Sequence, residues 1–153
     1  MSEIIIYTDG GCEPNPGPGG YGAVLLYKEH RRELSGGFKL TTNNRMELYA
    51  AVMALESLKR PCGVKLHSDS GYLVNAFSKG WIFDWQRKNW RVKNDMRVNF
   101  DLWQRLFALN QKHQIEFIWV KGHAGILENE RCDELAMLAL RQTDLDIDEG
   151  YSP

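Results

Sequence analysis

Apolar and polar positions along this chain follow two different periods. Ile4, Ile5, Ile6 and Tyr7 form a β-branched and aromatic run ending at Thr8-Asp9-Gly10, which predicts a strand buried on both faces. Glu13 to Gly20 is rich in glycine and proline and reads as a loop. Residues 21–28 and 33–40 read as two further strands, and the short polar segment between them suits a hairpin. Leu48, Val52, Leu55 and Leu58 recur at helical spacing, which predicts a helix over 43–59 that Pro61 stops. A strand over 64–68, a short helix over 70–77, a helix over 100–109, a strand over 115–120 and a helix over 128–141 follow. Residues 81–90 are aromatic and basic and show neither period. Strands first, then helices alternating with strands, predict an α/β fold: a mixed sheet with helices packed against it.

The length of 153 residues suits one domain with a full core. With no repeat or composition break, the domain is read as 1–143 and the remainder, 144–153, as a loose acidic tail. No apolar run approaches the ~20 residues of a membrane span, and MSEIIIYTDGG does not read as a signal peptide. Cys12, Cys62 and Cys132 are widely spaced and odd in number, so neither a disulfide framework nor a zinc site is expected. A reducing, cytoplasmic setting fits. The net charge of −1 gives no global basic field. Charge is nevertheless segregated: Lys79 to Arg97 holds six basic against two acidic residues, and the tail holds four acids.

Four carboxylates carry the chemistry. Asp9 ends an apolar strand, where a buried carboxylate needs a partner. Asp69 ends the 64–68 strand in the same manner, and if those strands lie side by side in parallel, both acids emerge at one sheet edge. Glu47, in the first turn of the long helix, heads a small and apolar row through Ala51, Ala54 and Leu58, so it faces inward. Asp133 heads a similar row through Ala136, Met137 and Leu140. Taken singly, each acid could be a helix-dipole partner or a turn residue. Taken together, clustered carboxylates repel and take up protons or bind cations. Hard divalent ions, Mg²⁺ above all, prefer such oxygen ligands. His123 lies between glycines in VKGHAG after a strand, a setting for a mobile proton-transfer group.

These residues resemble the ribonuclease HI family. The matching motifs are TDGGCEPNPGPGGYGA at 8–23, TTNNRMEL at 41–48, SDS at 68–70, VKGHAG at 120–125 and NERCDELA at 129–136, in the family's order and spacing. The resemblance implies a five-stranded mixed sheet, the first three strands antiparallel, flanked by helices. It implies an endonuclease that hydrolyses the RNA strand of RNA–DNA hybrids as a monomer. By position, Asp9, Glu47, Asp69 and Asp133 match the family's metal-binding carboxylates and His123 its mobile histidine. Asn15, Asn43 and Asn44 match minor-groove contacts, and Thr42 a DNA-phosphate contact. The stretch from Trp81 to Arg97 matches a basic protrusion, with Arg87, Lys88 and Arg91 beside phosphates. Trp81, Trp85 and Trp90 would stack on sugars, against the alternative of core packing, and Trp90, next to Arg91, is the one least expected in the core. Gly11, Pro14, Gly71 and Asp84 depart from common members at contact positions.

Physical logic agrees with that resemblance. One Mg²⁺ held by Asp9, Asp69 and Asp133 would orient and acidify a water, and another held by Asp9, Glu47 and Asp69 would stabilise the departing 3′-oxygen, with Mn²⁺ as a substitute. Fragments with 5′-phosphate and 3′-hydroxyl ends follow. Two rivals are an integrase, transposase or junction resolvase of the same fold, which lacks the asparagine motifs as a set, and a module that binds hybrids without cutting them.

Overall fold

The structure is a computed structural model that describes residues 3–153. It contains β1 (Glu3–Cys12), β2 (Gly17–Tyr27), β3 (His30–Thr41), α1 (Asn43–Glu56), β4 (Gly63–Ser68), α2 (Gly71–Ser78), α3 (Trp81–Arg87), β5 (Arg91–Val92), β6 (Asp95–Met96), α4 (Phe100–Lys112), β7 (Gln114–Trp119) and α5 (Leu127–Leu140). The main sheet has the order β3-β2-β1-β4-β7. β1 pairs antiparallel with β2, and β2 with β3, whereas β4 lies parallel to both β1 and β7. β5 and β6 form a separate two-residue hairpin just after the stretch that had no period.

Ile6, Leu48, Val52, Leu55, Leu66 and Trp103 are fully buried in one core beneath α1 and α4. α5 packs on β1, β2 and β3. Gly17–Gly20 is strand and not the expected loop because it pairs on both sides, Gly19 with Cys12 of β1 and Gly17 with Thr41 of β3, and the α5 backbone then packs on Gly20 and Gly22. A Cβ on Gly22 would come within 2.5 Å of Cys132 O, and one on Gly20 would collide with Ala136 O. The glycines are the sheet surface on which the α5 backbone rests.

Other boundaries move for local reasons. α1 ends at Glu56 with Ser57 as its C-cap, ahead of Pro61. The 144–153 segment is not a loose tail. Lys39 N–H donates to Asp146 O at 2.9 Å and Asp146 N–H to Gly37 O at 3.2 Å, so the chain returns alongside β3. Asp148 is buried there, its carboxylate taken up by Arg45 and Thr41. Among the described residues no helix is long and apolar enough to cross a membrane, and Cys12, Cys62 and Cys132 are free thiols.

Candidate active site and nucleic-acid groove

Asp9 does not end β1; the strand runs on to Cys12. What ends is its pairing with β4, whose last partners are Tyr7 and His67. Asp9 therefore pairs with Gly22 on the β2 side and lies open on the β4 side. Asp69 follows β4 directly, in a turn held by the bond from Ser70 N–H to Ser68 Oγ at 3.0 Å. Trp119 Nε1–H donates to Asp69 O at 3.1 Å. Glu47 stands at the start of the second turn of α1, one residue beyond the place where β1 and α1 touch. A Cβ on Gly10 would come within 2.6 Å of Glu47 N. Carboxylate oxygens of Asp9, Glu47 and Asp69 lie within 4.8 Å of one another.

Burial and mutual repulsion shape this cluster. Burial, then the charge of Asp69, pushes the Asp9 carboxyl up to about 7. Burial, then the charges of Asp9 and Asp69, raises Glu47 well above the ordinary carboxylate range. Burial also raises Asp69, and the nearby His123 counters it. Glu47 Oε2 is buried without a hydrogen-bond partner. Three hard oxygen donors at this spacing, one of them orphaned, fit a divalent cation. Asp133 stands outside the group of three, on the inward side of α5, near enough for its charge to raise Asp9 and Asp69. His123 is exposed and has φ 55°, and the preceding loop presses on the cluster: a Cβ on Gly122 would come within 2.6 Å of Asp69 Oδ2.

Asn15, Thr42, Asn43 and Asn44 gather at the start of α1. Cys12 N–H donates to Asn43 Oδ1 at 2.6 Å, and Asn43 N–H donates to Asn15 Oδ1 at 3.1 Å. The two carbonyl oxygens thus hold the end of β1 and the 13–16 loop to the start of α1, and the amide NH₂ groups are what the two side chains offer a ligand. Thr42 Oγ1 caps α1 by accepting from Arg45 N–H at 3.2 Å. Asn44 continues into a groove of about 730 Å³ lined by Trp81, Trp85, Arg97 and Asn99. Trp81 is 43% exposed. Trp85 is half-buried, edge-on to Trp103 at 5.1 Å, with the Arg97 guanidinium 4.2 Å from its ring centroid. Trp90 reverses the expectation: it is 7% exposed and packs edge-on against Phe107 at 5.9 Å. Its φ is 63°, and Arg91 beside it is exposed. Arg87, Lys88 and Arg91 are exposed, and Arg87 is ion-paired with Asp84.

Sequence reading did not single out Arg97, Asn99 or Tyr151, all of which line this region. Asn99 precedes α4 with φ 64° and makes no side-chain cap bond; its amide accepts from Arg45 Nη1 at 3.2 Å and donates to Tyr72 OH at 3.1 Å, long-range partners that no local pattern announces.

Comparison with known proteins supplies the kinship. The family model for RNase H matches residues 1–141. The chain is 57% identical over 152 residues to the ribonuclease H of Syntrophus aciditrophicus, covering 99% of this chain and 88% of that protein. It is 56% identical over 149 residues to the ribonuclease H of Desulforamulus reducens, covering 97% and 94%. Among solved structures, LC9-RNase H1 superposes with a TM-score of 0.82 at 29% identity, over 92% of this chain and 72% of that one. LC11-RNase H1, solved in complex with an RNA/DNA hybrid, superposes with a TM-score of 0.70 at 26% identity, over 90% and 96%. With a family model spanning nearly the whole length and relatives above half identity, this chain belongs to the ribonuclease H family.

Proposed function

We propose that the chain is an endonuclease that hydrolyses the RNA strand of RNA–DNA hybrids, with Asp9, Glu47, Asp69 and Asp133 as ligands for two Mg²⁺ ions. The observation that carries this reading is the cluster of Asp9, Glu47 and Asp69, with the partnerless Glu47 Oε2 inside it. The hybrid-bound structural neighbour supports the substrate. Mg²⁺ suits all-oxygen ligands and keeps waters for a phosphate, and Mn²⁺ shares that chemistry. When bound, such a pair of ions neutralises the scissile phosphate, acidifies a water and stabilises the departing oxygen.

The chain's own residues divide the remaining work. Asp9, between Glu47 and Asp69, bridges the two halves of the site. Asp133 completes the half on the α5 side. His123 takes up or hands on a proton from its exposed loop. The oxygen of water bonds to phosphorus as the bond to the 3′-oxygen breaks, and that oxygen leaves with a proton. Asn15, Asn43 and Asn44 donate from their amides to acceptors in the shallow minor groove, where 2′-hydroxyls distinguish RNA from DNA. Thr42 contacts a phosphate of the DNA strand, and Trp81 and Trp85 present aromatic surface to its sugars. Arg87, Lys88 and Arg91 neutralise phosphates beyond. The site is assembled within one chain, which suits a monomer, and the three free thiols suit a reducing cytoplasm.

The test is incubation with Mg²⁺ and end-labelled RNA in a hybrid, beside the same sequence as a DNA duplex. RNA fragments with 5′-phosphate and 3′-hydroxyl ends are expected from the hybrid alone. Cleavage of the DNA duplex, or cyclic phosphate ends, would contradict the reading.

A further inference from the structure

The segment 146–151 is fixed to the body of the fold by buried polar bonds. Asp148 accepts from Arg45 Nε at 2.7 Å, from Arg45 Nη2 at 3.0 Å and from the Thr41 hydroxyl at 2.6 Å. The outer edge of the same guanidinium is held by Asp101 at 2.9 and 2.7 Å. Arg45 is 1% exposed and Asp148 4%. Arg45 and Asp148 form a buried ion pair, with the part-exposed Asp101 on the outer side; such a pair is a weak source of net stability, and its best-attested use is to fix register. Gly150 adds a steric key. A Cβ there would come within 2.6 Å of Arg45 Nη2 and collide with Asp101 Oδ2. The strap therefore arrives at Tyr151 in a set position, on the wall of a groove of about 610 Å³ that Asn15, Thr42 and Asn43 also line.

We propose that this strap is part of the nucleic-acid groove: Asp148 and Gly150 are positioning residues that set Tyr151 against the strand lying across Thr42 and Asn43. The inference rests on the reading of the chain as a hybrid nuclease. Tyr151 brings an aromatic ring and no charge, so its contact is packing against a sugar, not neutralisation of a phosphate. The burial of Asp148 on Arg45 pairs one acid of the strap with a cation, while Glu149 stays exposed.

The test uses the full chain and a hybrid substrate, with KM and kcat measured across a salt series for Tyr151→Ala, Tyr151→Phe and Gly150→Ala, and a thermal melt of each. Tyr151→Ala and Gly150→Ala should raise KM roughly 5- to 10-fold with kcat within about twofold. Tyr151→Phe should restore the wild-type KM. The salt slope should not change, since no cation facing a phosphate is removed. A wild-type KM in Tyr151→Ala, a flattened salt slope, or a Tyr151→Phe variant no better than Tyr151→Ala would overturn the proposal. Absence of hybrid cleavage by the wild type would instead overturn the reading beneath it, so the two failures are distinct.

Discussion

Gly10 and Glu47 meet backbone to backbone: a Cβ on Gly10 would come within 2.6 Å of Glu47 N, and nothing but glycine fits between β1 and α1 there. This contact brings Glu47 beside Asp9, a neighbour of Gly10 in the strand. Gly10→Ala must push helix from strand. Overpacking of this kind costs about 1–3 kcal/mol, and a shift of carboxylates by a fraction of an ångström to an ångström costs on the order of 10²-fold in rate. A urea melt and a turnover assay on one preparation check both numbers. Unimpaired turnover would show that the close approach does not set the site.

Metal-free stability should fall as pH rises from about 5 to about 8. Asp9, raised to about 7, and Glu47, raised well above its ordinary value, bind protons in the folded state that the unfolded chain has already released. The folded state thus holds more protons in this window, which makes the slope negative. His113 works the other way below its ordinary value of 6.5, because burial holds its ring neutral. The comparison of wild type with Asp9→Asn cancels that contribution. Asp9→Asn should be the more stable protein at pH 8 by roughly 1–3 kcal/mol, with the gap narrowing toward pH 5. Saturating Mg²⁺ should stabilise the wild type more at pH 8 than at pH 5, since protons and cation compete for the same oxygens. Denaturant melts of both proteins in EDTA, and of the wild type in Mg²⁺, at pH 5 and pH 8 check these differences.

Arg87, Lys88 and Arg91 changed together to glutamate should raise KM more than they lower kcat. All three are exposed, Arg87 at the end of α3, Lys88 as its C-cap and Arg91 in β5. Every cation withdrawn from a phosphate reduces the log–log salt slope by about 1. Arg87 already shares its charge with Asp84, so it should contribute least. An unchanged slope would remove this segment from the interface.

His123→Ala should lower turnover by at most roughly 10²- to 10⁴-fold, the range of general acid–base assistance. Hybrid binding and the Mg²⁺ requirement should stay near wild type, since the three clustered carboxylates are untouched. Wild-type turnover would make His123 a bystander. Loss of metal affinity would make it a ligand.

The sequence made the chemistry more legible than the packing. Asp9 and Asp69 were readable because an acid after an apolar run is locally out of place, and the parallel pairing of β1 with β4 then brings them to one edge. Gly17–Gly20 was misread because glycine has no side chain to show a period. Its pairing partners and the Ala136 carbonyl that rests on Gly20, more than a hundred positions away, are visible only in the fold. The tail was misread for a related reason. Four acids in a short stretch look solvated, and only the fold reveals that Asp148 meets Arg45, 103 residues earlier. Trp90 was misplaced because its neighbour is charged. Successive side chains can point to opposite sides of the backbone, and one buried ring among exposed neighbours shows no period.

The central claim is that Asp9, held against both Glu47 and Asp69, organises the metal-dependent step and not substrate binding. The most direct measurement compares single-turnover cleavage and equilibrium binding of one labelled hybrid by wild type and Asp9→Asn in Mg²⁺. The account predicts cleavage at the assay floor with binding within a few-fold of wild type, because the amide fits the space while the groove from Asn15 to Trp85 is untouched. An Asp9→Asn protein that keeps most of its cleavage rate at ordinary Mg²⁺ would contradict it.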